Sequence, residues 1–137
     1  MNEFRTKIEP KPSRNKINYQ TPVLFMGSCF TENIGNKMVD LKFPVMVNPF
    51  GVLYNPVSLR QSIEIILDKR DFEENDLIFF NEQWISFYHD TEFSNPEKKK
   101  ALTKINETLN QSRVHLKNAK YLILSFGTAW VYEYKKF

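Results

Sequence analysis

A hydroxyl and a thiol stand side by side at Ser28 and Cys29, in the run Gly27-Ser28-Cys29-Phe30 that directly follows the apolar stretch Val23-Leu24-Phe25-Met26. Cys29 is the only cysteine in the 137 residues. A short buried strand that ends in glycine and a nucleophile, then opens a helix, suits acyl chemistry. The strand fixes the nucleophile, the glycine permits the sharp turn, and the first N–H groups of the helix face any developing negative charge. Two further loops combine glycine with polar donors, Asn48-Pro49-Phe50-Gly51 and Ser125-Phe126-Gly127-Thr128. Histidine, the commonest general base, occurs only at 89 and 115. His89, in Tyr88-His89-Asp90, is the candidate base, with Asp90 or Glu92 to orient it; the plainer alternative is a loop histidine. His115, near the end of a charged helix, reads as exposed or structural. His89-Asp90 is the single pair with metal-ligand character, and no second His or Cys stands at ligand spacing, so neither a metal nor a cofactor is expected.

The elements that must hold these residues alternate between strand and helix. Val23 to Met26 is a continuous apolar run, as in a strand covered on both faces. From Thr31 to Leu41 the apolar positions Ile34, Met38 and Leu41 fall at helical spacing, with Glu32 in the first turn. Pro44 to Val47 reads as a second strand. Asn55-Pro56 is an N-cap followed by proline at the first helical position, and the helix behind it carries Leu59, Ile63, Ile66 and Leu67 on one face. Leu77 to Phe80 and Trp84 to Phe87, joined by Asn81-Glu82-Gln83, predict a hairpin. Ser94-Asn95-Pro96-Glu97 has the form of a capping box and predicts a long helix bearing Leu102, Ile105 and Leu109 to about Lys117. The basic triplet Lys98-Lys99-Lys100 in its first turn reads as a solvated face. Tyr121 to Ser125 is the clearest buried strand. This alternation predicts an α/β fold with a largely parallel sheet. Ligands in such sheets sit at the carboxyl ends of the strands, which brings the three glycine loops to one edge.

Residues 1–20, polar and broken by Pro10 and Pro12, read as an N-terminal arm, and residues 21–137 as one α/β unit. A net charge of +3, with 19 basic against 16 acidic side chains, is too balanced to imply a nucleic-acid or membrane partner. Aromatic residues reach 15%, mostly through 12 Phe, and are expected to fill a core. A lone cysteine rules out an internal disulfide framework and fits a reducing compartment. The polar N-terminus lacks a signal-peptide core, and no apolar run approaches the roughly 20 residues that span a bilayer. The expectation is a cytoplasmic protein.

The run Gly27-Ser28-Cys29-Phe30-Thr31-Glu32-Asn33-Ile34-Gly35 resembles the signature of the GSCFA family, named for Gly-Ser-Cys-Phe-Ala, with Thr31 in place of the alanine. The runs from Asn48 to Pro56 and from Ser125 to Tyr132 are similar to that family's as well. The resemblance covers about Val23 to Tyr132. The family is grouped with the SGNH (GDSL-like) esterases and lipases. That grouping implies a three-layer α/β/α sandwich with a mainly parallel, flavodoxin-like sheet. It also implies hydrolysis of an acyl or acetyl ester of a glycan, a lipid or a small molecule.

The resemblance also assigns roles. Aligned without a gap, Gly-Asp-Ser-Leu/Ile-Thr falls on Gly27-Ser28-Cys29-Phe30-Thr31 and nominates Cys29 as nucleophile; shifted by one, it nominates Ser28. Gly51 is the candidate for the superfamily's oxyanion-hole glycine. Gly127-Thr128-Ala129-Trp130 stands where Gly-x-Asn-Asp is expected, so Ala129 replaces an oxyanion donor for which Thr128 or Asn48 could substitute. The Asp-x-x-His that supplies the base in that superfamily has no counterpart. The chain therefore reads as the N-terminal portion of a longer protein, inactive by itself and able to self-associate through an unpaired sheet edge. The alternative reading is a non-catalytic ligand-binding or scaffold domain with a degenerate cleft.

Overall fold

The computed structural model describes residues 4, 6–133 and 135. Residues 1–3, 5, 134, 136 and 137 lie outside the described set, and with them the extreme ends of the expected arm and α/β unit. Residues 6–20 contain no helix or strand, and Tyr19 stacks on Phe43 with ring centroids 4.4 Å apart.

Three strands form a parallel sheet. β1 (Val23–Gly27) lies at its centre, flanked by β2 (Val45–Val47) and β5 (Tyr121–Ser125). Val23 pairs with Val45 on one side and Tyr121 on the other, and Phe25 with Val47 and Ile123. As the apolar run predicts, Val23, Leu24, Phe25 and Met26 are each at most 2% exposed. Alternation divides them between two faces. Leu24 and Met26 join a core with Phe50, Leu59 and Ile66 and with Ile105 and Leu109; each such burial contributes about 1.5–3 kcal/mol. Those partners lie on α2 (Pro56–Leu67), on α3 (Lys98–Asn118) and in the Asn48–Gly51 loop. The opposite face is covered by α1 (Cys29–Asp40), whose Gly35 sits so close to Val47 that an added Cβ would approach its Cγ2 to 2.6 Å. Helices therefore cover both faces of a parallel sheet, giving the α/β/α layering.

Several local expectations are corrected. The buried residues of α1 are Thr31 and Gly35, whereas Ile34 and Leu41 are exposed. Close approach to β2 selects small residues at the contact, which displaces the face that hydrophobic spacing indicates. In α2 the Asn55 cap forms as expected, its Oδ1 accepting from Ser58 N at 2.8 Å behind Pro56. Leu67 is exposed, however, and Ser62 is buried, its hydroxyl donating to the Leu59 carbonyl. The hairpin is shorter than predicted: β3 (Ile78–Phe80) pairs with β4 (Gln83–Ile85) around the two-residue turn Asn81-Glu82. Both turn residues have positive φ, 48° and 61°, the type I′ pattern whose twist matches antiparallel strands.

No capping box forms at Ser94. Asn95 instead bridges to Trp84, with Trp84 N donating to its carbonyl at 2.8 Å, so the chain is extended there and α3 begins at Lys98 after Glu97. The basic triplet is partly engaged: Lys98 lies 4.2 Å from the Trp84 ring centroid and pairs with Glu74, and Lys100 pairs with Glu97. Among the described residues no helix is long and apolar enough to cross a membrane.

Candidate functional site

β1 ends at Gly27, whose φ of +141° and whose closeness to the Ser125 carbonyl leave no room for a side chain. The three glycine-bearing loops meet there. Gly27 N donates to Asn48 Oδ1 at 2.9 Å, and Leu53 N donates to the Gly27 carbonyl at 2.9 Å. Ser28 N donates to Ser125 O at 3.3 Å, and Gly127 N to the Tyr54 carbonyl at 2.8 Å. The parallel topology that places strand ends at one edge is sufficient to assemble residues separated by almost a hundred positions.

Ser28 and Cys29 fill different positions in this turn. Ser28 is the N-cap of α1, 6% exposed, with Oγ accepting from Phe30 N at 3.4 Å. Its Oγ also lies 2.8 Å from Ser125 Oγ, which in turn donates to Thr31 Oγ1 at 3.2 Å. With the Ser125 proton committed to Thr31, Ser28 is the donor in the first contact. The Thr31 hydroxyl completes the chain by donating to the Ser28 carbonyl at 2.7 Å. The Ser28 hydroxyl is thus occupied in both directions. Cys29 is the first residue of α1 and is exposed. Its backbone N–H belongs to the first helical turn, where an intrahelical acceptor does not exist.

Asn48, at φ 42°, presents the second donor of interest. Since its Oδ1 must face the Gly27 N–H, the orientation of the amide is fixed and Nδ2 carries the protons. That nitrogen is buried and has no hydrogen-bond partner, in a side chain that is only 7% exposed. An unpaired buried amide costs about 1–3 kcal/mol. Such orphan groups are uncommon in folded proteins and mark strain, a missing water or a ligand position.

The other nominated donors are engaged within the loops. Gly51 N donates to the Asn48 carbonyl at 2.7 Å, and Gly127 N and Thr128 N both donate to the Tyr54 carbonyl. The Thr128 hydroxyl accepts from Trp130 N at 3.1 Å. Gly51, Gly127 and Thr128 therefore reach the expected edge, but their backbone N–H groups shape the turns.

Neither histidine contacts the Gly27–Phe30 turn. His89 stacks on Phe50 at 4.5 Å and meets Phe72 and Phe93 edge-on or tilted at 5.0 and 4.9 Å. Its Nδ1 lies 2.9 Å from Ser86 Oγ, and burial pushes its pKa down to about 4. His115 Nε2 lies 3.0 Å from the Val23 carbonyl, tying α3 to the start of β1. The Asp90 carboxylate caps its own short turn, accepting from Glu92 N at 3.1 Å. A cavity of about 260 Å³ between Gln61, Asp68, Phe72 and Tyr88 shares no lining residue with the three loops. Among the described residues no three His, Cys, Asp or Glu side chains are grouped to hold a metal ion.

The sequence does not reveal Ser125 and Thr31 as partners of Ser28. Their only sequence signal is a hydroxyl at the end of one predicted strand and another three residues after the cap. No curated protein and no solved structure matches the chain. The family model described as GSCFA family matches residues 22–137, which takes in all three converging loops, and the chain accordingly belongs to the GSCFA family.

Proposed function

We propose that this chain carries the nucleophile of an SGNH-like ester hydrolase, acting on an acyl ester by nucleophilic acyl transfer, with Cys29 as nucleophile. The observation that supports this most is the contrast at the turn: Cys29 is exposed at the first position of α1, while the Ser28 hydroxyl is taken up by the N-cap and by Ser125. Cys29 Sγ, as thiolate, attacks the ester carbonyl carbon. The tetrahedral oxyanion forms beside the Cys29 N–H and collapses with loss of the alcohol, which takes up a proton from solvent. Water then cleaves the thioester, releasing the acid and restoring the thiol. A backbone donor placed where charge develops is worth about 10²–10³ in rate.

Hydrolysis of p-nitrophenyl acetate by the full-length protein and by its Cys29→Ala and Ser28→Ala variants tests this. Loss of activity in Cys29→Ala with retention in a folded Ser28→Ala supports it. Activity surviving in Cys29→Ala removes the thiol from the mechanism.

A second reading, a ligand-binding domain without turnover, is favoured by one observation: both histidines are engaged away from Cys29, His89 stacked on Phe50 and His115 at the Val23 carbonyl. Saturable binding of an ester with no product released above buffer would select it.

A further inference from the structure

The three loops around Cys29 are free of charge. Residues 26–31, 48–58 and 121–132 contain no Asp, Glu, Lys, Arg or His, in a chain whose charged residues make up 26%. What they expose is aromatic. Phe30 is 63% exposed immediately after Cys29, and Phe126 is 57% exposed immediately after Ser125. Tyr54, 47% exposed, packs its ring against Gly127, and Trp130 stands 86% exposed at the end of the same loop. The hydrogen bonds joining Ser28 to Ser125 and Gly127 to Tyr54 hold the loops that bear these rings at the edge that carries the thiol. Charged groups border these loops along the chain at Glu32, in the first turn of α1, and at Arg60, Lys120 and Glu133, while the Asp90 carboxylate, packed at Gly51, caps its own turn.

An anionic substrate such as a phosphoryl or succinyl ester would find no counter-ion on these loops, and losing its hydration there is costly. A neutral, apolar acyl group has the opposite balance, because each methylene laid on an aromatic surface is removed from water. We infer that the ester taken at Cys29 is uncharged and that its acyl group is a hydrocarbon chain of several carbons, seated against Phe30, Tyr54, Phe126 and Trp130. This rests on the acyl-transfer reading above and specifies its substrate class.

The test is a series of p-nitrophenyl esters given to the full chain: acetate, butyrate and the negatively charged hemisuccinate. Butyrate, with two more methylenes than acetate, is expected to exceed it about ten-fold in kcat/KM, and the hemisuccinate to fall below both. Phe30→Ala and Trp130→Ala, both at exposed positions, are expected to reduce the butyrate-to-acetate ratio. The same ester series, titrated against Cys29→Ala with tryptophan fluorescence as readout, reports binding independently of turnover. Butyryl esters of glucose and of glycerol then separate a glycan source from a glyceride source, and hydrolysis of either agrees with the inference. Equal or better use of the hemisuccinate overturns the inference and leaves ester hydrolysis standing. Absence of hydrolysis with every ester overturns the acyl-transfer reading; tighter butyrate than hemisuccinate binding would then keep the neutral, apolar ligand, and equal binding would remove it.

Discussion

Ser28 and Cys29 are adjacent in the chain and opposite in surroundings, and that contrast makes them separable by experiment. Iodoacetamide added to the folded protein is expected to give a single adduct at Cys29, read by intact mass and peptide mapping, because that thiol is exposed. Ser28→Ala removes the side-chain cap of α1 together with the contact to Ser125, and should lower stability by about 0.5–2 kcal/mol in a denaturant titration without blocking that adduct. A Ser28→Ala protein as stable as the wild type would show that the cap contributes nothing. The sequence made the nucleophile turn legible through its residue types, yet it left Ser28 and Cys29 equivalent. The difference between them comes from Ser125, whose hydroxyl reaches Ser28 across 97 positions. Local pattern carries no trace of such a contact. The same limit applies to Asn48: its amide is easily nominated as a donor, but its Oδ1 is committed to Gly27 and only Nδ2 is left over.

The elements were legible where one physical cause set them. β5 spans its apolar run residue for residue, yet it is not the buried strand that run predicts, because it lies at a sheet edge with Leu122 and Leu124 exposed. α2 begins where Asn55-Pro56 directs it. The helix after Ser94 starts late because the antiparallel bridge from Asn95 to Trp84 overrides a local capping pattern. The hairpin turn is tighter than its sequence suggests because Glu82 adopts φ 61°, a region disfavoured for a side chain. Glu82→Gly is therefore expected to raise stability, by about 0.5–1 kcal/mol, measured as an upward shift in the denaturation midpoint.

His89 belongs to this scale too, as the piece that packs the Tyr88–Asp90 segment onto Phe50. Its pKa in the folded protein is about 4, below the ordinary 6.5, so the unfolded chain binds more protons between those values. Stability is complete above about pH 6.5 and is lost as pH falls toward 4, by roughly 2–3 kcal/mol through this one group. A His89→Phe variant should flatten that part of the profile, and an unchanged slope would assign the loss to other groups.

Across the whole molecule the central strand is sealed while both of its neighbours, β2 and β5, are sheet edges among the described residues. Among the described residues β5 pairs only with β1, and Leu122 and Leu124 on it are 40% and 38% exposed. The strand Tyr121–Ser125 carries none of the charges or prolines that blunt an edge. Antiparallel pairing of two copies about Ile123 would set Leu122 of each against Leu124 of the other. Sedimentation at increasing concentration is expected to show association, weakened by Leu122→Lys; a monomer at every concentration would count against edge pairing.

The hydroxyl link between Ser28 and Ser125 also has a consequence in time. A chain synthesised from its N-terminus produces the Gly27–Phe30 turn early, but β1 acquires its β5 neighbour only after residue 125 has emerged. Closing so long a loop is slow compared with forming a helix. The thiol is thus present on the nascent chain in a turn that lacks its final partner until the 97 positions between Ser28 and Ser125 have been made. The geometry around Cys29 matures only once β5 has docked on β1.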